Sequence, residues 1–283
     1  MAARANISIL ILTLNEEINL PDCLRSVDWS DDIVVLDSFS NDATEQIARD
    51  AGVRFYQRKL DDWSSHYNWA LTQIEYKNDW VFTLDADERM TPELLAEMKN
   101  RLATDYGRGI AAYQVRFKNI LWGRWIKRAS LYPTWITRLY RPSCVHFEKR
   151  PVHPHPAIDG EIEKLDEHFI HCGFNKGLHH WFARHNDYST MEMRACLSEL
   201  RSGRIDWKGL RSVNPGAKRC ALKNLSFRLP CRPVVKFLYY YVYRGAFLEG
   251  VPGFTYCVLQ STYEYMIVLK LREIKRREHG LPI

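Results

Sequence analysis

No CxxC pair occurs in this chain of 283 residues, and its seven cysteines (23, 144, 172, 196, 220, 231 and 257) are an odd number at irregular spacing. That argues against a disulfide framework or a zinc knuckle and fits reduced thiols in a cytosolic setting. No GxGxxG follows the first apolar run, so the fingerprint of a dinucleotide-dependent oxidoreductase is missing. No stretch supplies the ~20 uninterrupted apolar residues of a membrane-spanning helix. Met1-Ala2-Ala3-Arg4 leads straight into a strand, without the pattern of a secretory signal. Internal repeats and low-complexity linkers are absent as well. The net charge of +6 is modest but unevenly spread. The length suits one large α/β domain, or a domain of ~200 residues with an appendage.

What is present is an alternation of apolar runs and amphipathic segments. Ile7–Leu12, Ile33–Leu36, Val53–Tyr56 and Trp80–Leu84 read as strands; they are too short and too apolar for anything else. Helices are expected over Asn19–Val27, Ala43–Ala51, Ser64–Ile74 and Thr91–Leu102, the second capped by Ser40-Asn41-Asp42. The expected result is a mostly parallel sheet with helices on both faces. After Gly109 the segments Ala111–Phe117 and Trp135–Tyr140 alternate as strands, and from Phe174 onward helices dominate.

Polar groups stand at the strand exits, where open α/β sheets place their ligands. The first strand ends in Thr13-Leu14-Asn15-Glu16, the second in Asp37-Ser38. The fourth ends in Asp85-Ala86-Asp87-Glu88, three carboxylates within four positions. Such a cluster repels itself unless a cation or basic partners hold it. A helix start at Thr91-Pro92-Glu93 would account for Glu88, but not for Asp85 and Asp87.

Downstream lie His146, His153, His155, His168 and His171. His153-Pro154-His155 offers two zinc ligands, but no Cys or His pair follows to close a tetrahedral site. Arg184 and Tyr188 share one helical face, which suits either phosphate binding or an ordinary packing contact. Arg201–Arg244 is strongly basic and runs into the aromatic segment Tyr239-Tyr240-Tyr241-Val242-Tyr243. Nucleic-acid binding would call for a compact basic fold or a stacking motif, and neither is found. Attachment to an anionic membrane face fits better; a helical pair that packs on the N-terminal α/β domain or on a second subunit, as in a homodimer, is the alternative.

With Thr13–Glu16, Leu36–Thr44, Asn68–Leu71 and Leu84–Glu88 in this order, the N-terminal half resembles the family 2 glycosyltransferases of the GT-A (Rossmann-like) α/β fold. Arg138–Tyr140, His153, Gly160, Leu165 and His171 look like the second half of the same domain. The subgroup that looks most similar contains lipopolysaccharide-core and polysaccharide β-glucosyltransferases. The resemblance implies a catalytic domain over 1–172 and a helical region over 173–283 for acceptor or membrane association. It implies inverting transfer of a hexose from a UDP-sugar to a lipid-linked glycan or lipopolysaccharide-type acceptor, on the cytoplasmic face of the cell membrane. A nucleotide-sugar- or glycan-binding protein that has lost catalysis is the other reading.

The same resemblance implies the site. Thr13, Leu14, Asn15 and Glu16 would border uracil and ribose, and Asp37 with Ser38 would read the base. Asn68 would join them, and the phosphate or ribose contact that relatives make with an Arg where Tyr67 stands would be either lost or supplied by His66. Asp85 and Ala86 would lie near the ribose. Asp87, with Asp85 and His171, would hold Mn²⁺ or Mg²⁺, for which hard oxygen ligands suit. Pro154 follows His153 where relatives carry a Glu, so the catalytic base is expected among Glu148, His155, Asp159 and Glu161, Glu148 first, with His153 and His155 lining the acceptor pocket.

Overall fold

The computed structural model describes residues 6–105, 107–148, 155–203, 205–213, 215–229 and 231–283. Two compact units divide the chain, Met1–Gly177 and Leu178–Ile283.

In the first unit, β1 (Ile7–Thr13), α1 (Leu20–Ser26), β2 (Ile33–Asp37), α2 (Thr44–Asp50), β3 (Arg54–Gln57), α3 (Trp63–Gln73) and β4 (Trp80–Asp85) alternate as expected. Then follow β5 (Glu88–Arg89), α4 (Pro92–Thr104), β6 (Ile110–Leu121), β7 (Arg124–Ile126), β8 (Trp135–Tyr140), β9 (Val145–Glu148), β10 (His155–Ile158) and β11 (Glu161–His171). The main sheet has the order β3-β2-β1-β4-β8-β6-β11-β5, and β7 pairs with β6. The first four strands are mutually parallel, and β8 enters antiparallel between β4 and β6. The mostly parallel sheet read from the sequence is therefore present.

Both faces are covered, which is why β1 is apolar at nearly every position. Ile7, Ile9 and Ile11 pack with Leu20, Ala48, Leu94 and Met98 of α1, α2 and α4. Leu10 and Leu12 pack on the other face with Tyr67 and Ala70 of α3 and with Val145 and Phe147 of β9. Full burial of such side chains stabilises by about 1.5–3 kcal/mol each.

Side-chain caps fix where helices begin. Asp62 accepts from the Ser65 amide at 2.9 Å, and Thr91 accepts from the Leu94 amide at 3.2 Å. At the amino end of the sheet, buried Asp32 is taken up by Arg54 at 2.7 Å and by the Lys77 amide at 2.8 Å. That carboxylate is structural.

The second unit is helical: α5 (Gly177–Ser202, whose first residue closes the first unit), α6 (Trp207–Leu210), α7 (Pro215–Ser226), α8 (Arg232–Leu238), a π-helical turn Tyr239–Tyr243 and α9 (Gly250–Glu278). Its core holds Met193, Cys196, Phe227, Ile267 and Leu271. Buried Arg232 pairs with Glu264, which Lys236 also reaches at 3.1 Å. Among the described residues no helix is long and apolar enough to cross a membrane.

Candidate active site

The exits of β1, β2 and β4 lie side by side, since Thr13 pairs with Asp37 and Leu12 with Asp85. Asp37 is fully buried and knits the first two exits together. Its Oδ1 accepts from the Thr13 hydroxyl at 2.9 Å, and its Oδ2 from the Ser40 amide at 2.8 Å and Gln57 Nε2 at 3.4 Å. Asn15 adopts a left-handed φ of 56°, which aims its Oδ1 at the Asn41 amide, 2.9 Å away. Leu14 is exposed and Ser38 is half-buried beside these groups.

Lys176 closes this corner. Its Nζ donates to the Asn15 carbonyl at 2.8 Å and to Glu16 Oε1 at 2.7 Å. Burial raises the Glu16 carboxyl; Lys176 and Asn19 pull it back, and the negative charge of Asp87 adds to the rise.

The Asp85–Glu88 turn separates its carboxylates into two kinds. Arg138, on β8 and buried, donates through Nη2 to Asp85 at 2.9 Å and to Glu88 at 2.7 Å. The other Glu88 oxygen accepts from the Asp85 amide at 2.9 Å. Burial pushes the Glu88 carboxyl up to about 8 against the opposing pull of Arg138, and each of its two oxygens has a donor. Burial alone would lower Arg138, but Glu88 and Asp85 hold it firmly charged.

Asp87 faces a different partner. His171, at the end of β11, brings Nε2 to 3.4 Å from Asp87 Oδ2, while its Nδ1 lies 2.6 Å from Asn119 Oδ1 on β6. With an amide oxygen as its partner, Nδ1 carries the hydrogen. Nε2 and the carboxylate then face each other, and a proton or a metal cation is needed between them. Burial lowers the imidazole, but Asp87, Glu88 and Asp85 outweigh it and the net shift is upward. A hard divalent cation suits this pair. Among the described residues no group of three or more His, Cys, Asp or Glu forms a complete cage.

Other expected site residues have different positions. The Asn68 amide is committed to β9: Nδ2 donates to the Phe147 carbonyl at 2.9 Å, and Oδ1 accepts from the Phe147 amide at 2.8 Å. Its observed role is to pin the β9–β10 hairpin on α3. His66 is fully buried, with Nδ1 3.1 Å from Arg58 Nη1. Burial, then Arg58, lowers its imidazole to about 4. Because the folded form resists protonation, this group's stability contribution is complete above about 6.5 and is lost as pH falls toward 4. The unfolding midpoint should therefore drop across that window, and less steeply in His66→Gln; equal slopes would contradict the assignment.

Glu148 and His155 pair across the hairpin, and the Ser64 hydroxyl donates to the Glu148 carbonyl at 2.8 Å. Ser64 opens α3, which follows the β3 exit, so both residues stand at the carboxyl end of the sheet. Asp159 does not. Its amide bonds the Cys144 carbonyl, and the neighbouring Glu161 pairs with Ile110, where β6 begins. β6 runs in the direction of β4, so Asp159 lies at the amino end, away from the Asp85–Glu88 turn. His153 lies outside the described residues. Arg184 is on α5 of the second unit. Sequence reasoning did not assign Arg138, Asn119 and Lys176 to the site; only Arg138, a charge inside an apolar strand, carried a signal.

A mostly parallel sheet with polar loops at consecutive exits and an Asp-x-Asp turn is the architecture of the GT-A glycosyltransferases. The model of the family described as Glycosyl transferase family 2 matches residues 8–157, just over half the chain, and the chain belongs to that family. An uncharacterized glycosyltransferase of Rickettsia typhi is 23% identical over 97% of this chain and 89% of its own length. The lipopolysaccharide core biosynthesis glycosyltransferase LpsC of Rhizobium meliloti is 34% identical over 34% of this chain and 39% of its own. A TPR repeat-containing protein of Synechococcus elongatus is 37% identical over 36% of this chain, and the match spans 25% of that protein. The solved structure of glucosyl-3-phosphoglycerate synthase from Mycobacterium tuberculosis with Mn²⁺, UDP and glucosyl-3-phosphoglycerate is 24% identical over 41% of this chain and 45% of that one. Its TM-score is 0.34, a likeness too partial to place any residue.

Proposed function

We propose that the chain transfers a hexose, with inversion, from a UDP-sugar to a glycan acceptor carried on a lipid. The observation that carries this reading is the division of labour in the Asp85–Glu88 turn. Arg138 occupies Asp85 and Glu88, which leaves Asp87 opposite His171 as the pair suited to Mn²⁺ or Mg²⁺. Such a cation supplies Lewis-acid stabilisation of charge on a leaving diphosphate. Thr13–Glu16 and Asp37–Ser40 border the nucleoside; Lys176 holds the first of these loops in place.

Glu148 is the proposed base that takes the acceptor hydroxyl proton, with His155 opposite it on the hairpin. Glu148→Gln should lower kcat by roughly 10²–10⁴-fold with little change in donor affinity. An unchanged kcat would move the role to His155.

Acceptor access fits the second unit's surface. Val234, Leu238, Val242, Tyr243, Leu248 and Val251 are all more than half exposed. Basic side chains neighbour them in sequence, a composition that suits an anionic membrane surface. On this reading the enzyme works at the inner face of the membrane, and a second copy is the competing occupant of that surface. UDP release from a panel of nucleotide sugars, measured with lipid extracts and Mn²⁺, tests the activity; release from none of them would refute it.

A further inference from the structure

The sheet face around β6, β7 and β8 carries positive side chains that are held by aromatic rings rather than by carboxylates. Lys118 Nζ lies 4.5 Å and Lys127 Nζ 5.2 Å from the centroid of the Trp125 ring. Lys164 Nζ lies 4.7 Å and Arg116 Cζ 5.9 Å from that of Trp135. Pairing brings these groups into one stripe: Arg116 lies opposite Trp135, Ile120 opposite Trp125, and Lys164 beside Gln114.

Cation–π contact of this kind is worth about 0.5–2 kcal/mol and fixes a cation without neutralising it. Among the described residues no carboxylate forms an ion pair with any of the four cations. Several arginines elsewhere in this unit are neutralised: Arg58 by Asp61, Arg108 by Asp105, Arg138 by Asp85 and Glu88. The stripe also holds buried donors without a hydrogen-bond partner among the described residues: the indole nitrogens of Trp125 and Trp135, and Arg116 Nε. Its field reaches His168, whose imidazole is lowered by burial first, and also by Lys118 and Arg116, against the opposing pull of Glu167.

We propose that this stripe binds an acidic glycan, a sugar chain bearing phosphate or carboxylate groups, and presents it as acceptor. The acceptor role rests on the transferase reading above; the affinity for acidic sugar does not. Successive same-face residues of a strand are about 6.6 Å apart, so the ladder suits an extended polyanion rather than a single ion. Nucleic acid fits less well, since the indole faces that would stack with bases hold cations instead. Lys118 precedes Asn119, whose side chain holds His171, so the stripe runs along β6 beside the site, on the opposite face of that strand.

The test is a binding titration with trigalacturonate, phosphorylated maltotriose, plain maltotriose and a short oligothymidylate. Wild type should bind at least one acidic trisaccharide about tenfold or more tighter than maltotriose. Whichever acidic probe binds tells carboxylate from phosphate. Lys118→Ala/Lys127→Ala should lose that margin, and Lys118→Arg/Lys127→Arg should keep it, with unfolding midpoints unchanged. Equal affinity for acidic and neutral sugars, undiminished binding in the alanine pair, or oligothymidylate binding as tightly as the acidic sugars would overturn the proposal. UDP titrated with Mn²⁺ should bind all forms equally. If no form binds UDP while acidic sugar is still bound, the transferase reading fails and the stripe's affinity stands.

Discussion

Asp87→Ala is expected to cut UDP release at saturating donor by roughly 10²–10³-fold or more, the scale of losing a principal charge-stabilising group at a reacting centre. Asp87 is the carboxylate of the turn that faces His171, at 3.4 Å, whereas Asp85 and Glu88 are occupied by Arg138. The substitution leaves the Arg138 network intact, so the unfolding midpoint should barely move. Asp85→Asn should be milder in activity, since a side-chain amide oxygen can still accept from Arg138. Activity kept in Asp87→Ala and lost in Asp85→Asn would reverse the roles assigned to the two residues.

Arg138→Met should give the largest loss of stability. It leaves Glu88 buried with its guanidinium partner gone, a change that typically costs about 3–5 kcal/mol. The expected signature in denaturant unfolding is a lower midpoint with an unchanged slope. Arg138→Met/Glu88→Gln should recover part of the loss, because no buried carboxyl is then left without its guanidinium partner. A double variant no more stable than Arg138→Met would show that packing against Phe169, whose ring lies 5.7 Å away, matters more than charge.

The sheet was legible because burial on both faces forces unbroken apolar runs, and Ile7–Leu12 and Trp80–Leu84 cannot be read otherwise. The polar exits were legible for the same reason, since each run stops at a cluster of acceptors. What the sequence hid were partners brought in over long range. Arg138 is 50 residues or more from the carboxylates it binds, and Lys176 is 160 from Glu16. No local pattern announces such contacts. The family resemblance puts Asn68 at the nucleotide, yet in the structure its amide bonds both backbone groups of Phe147. Asp159 was grouped with the histidines by proximity in sequence. The reversal of direction at β8 and again at β6 and β11 decides which end of the sheet it occupies, and that reversal is invisible in spacing.

The central claim is a nucleotide-diphosphate site completed by a cation between Asp87 and His171. Calorimetric titration of UDP into the wild-type protein with Mn²⁺, and again with EDTA, tests it most directly. The account predicts binding with Mn²⁺ that weakens about tenfold or more with EDTA, and a similar weakening in Asp87→Asn even with metal present. UDP affinity that is equal with and without Mn²⁺, and unchanged in Asp87→Asn, would contradict it.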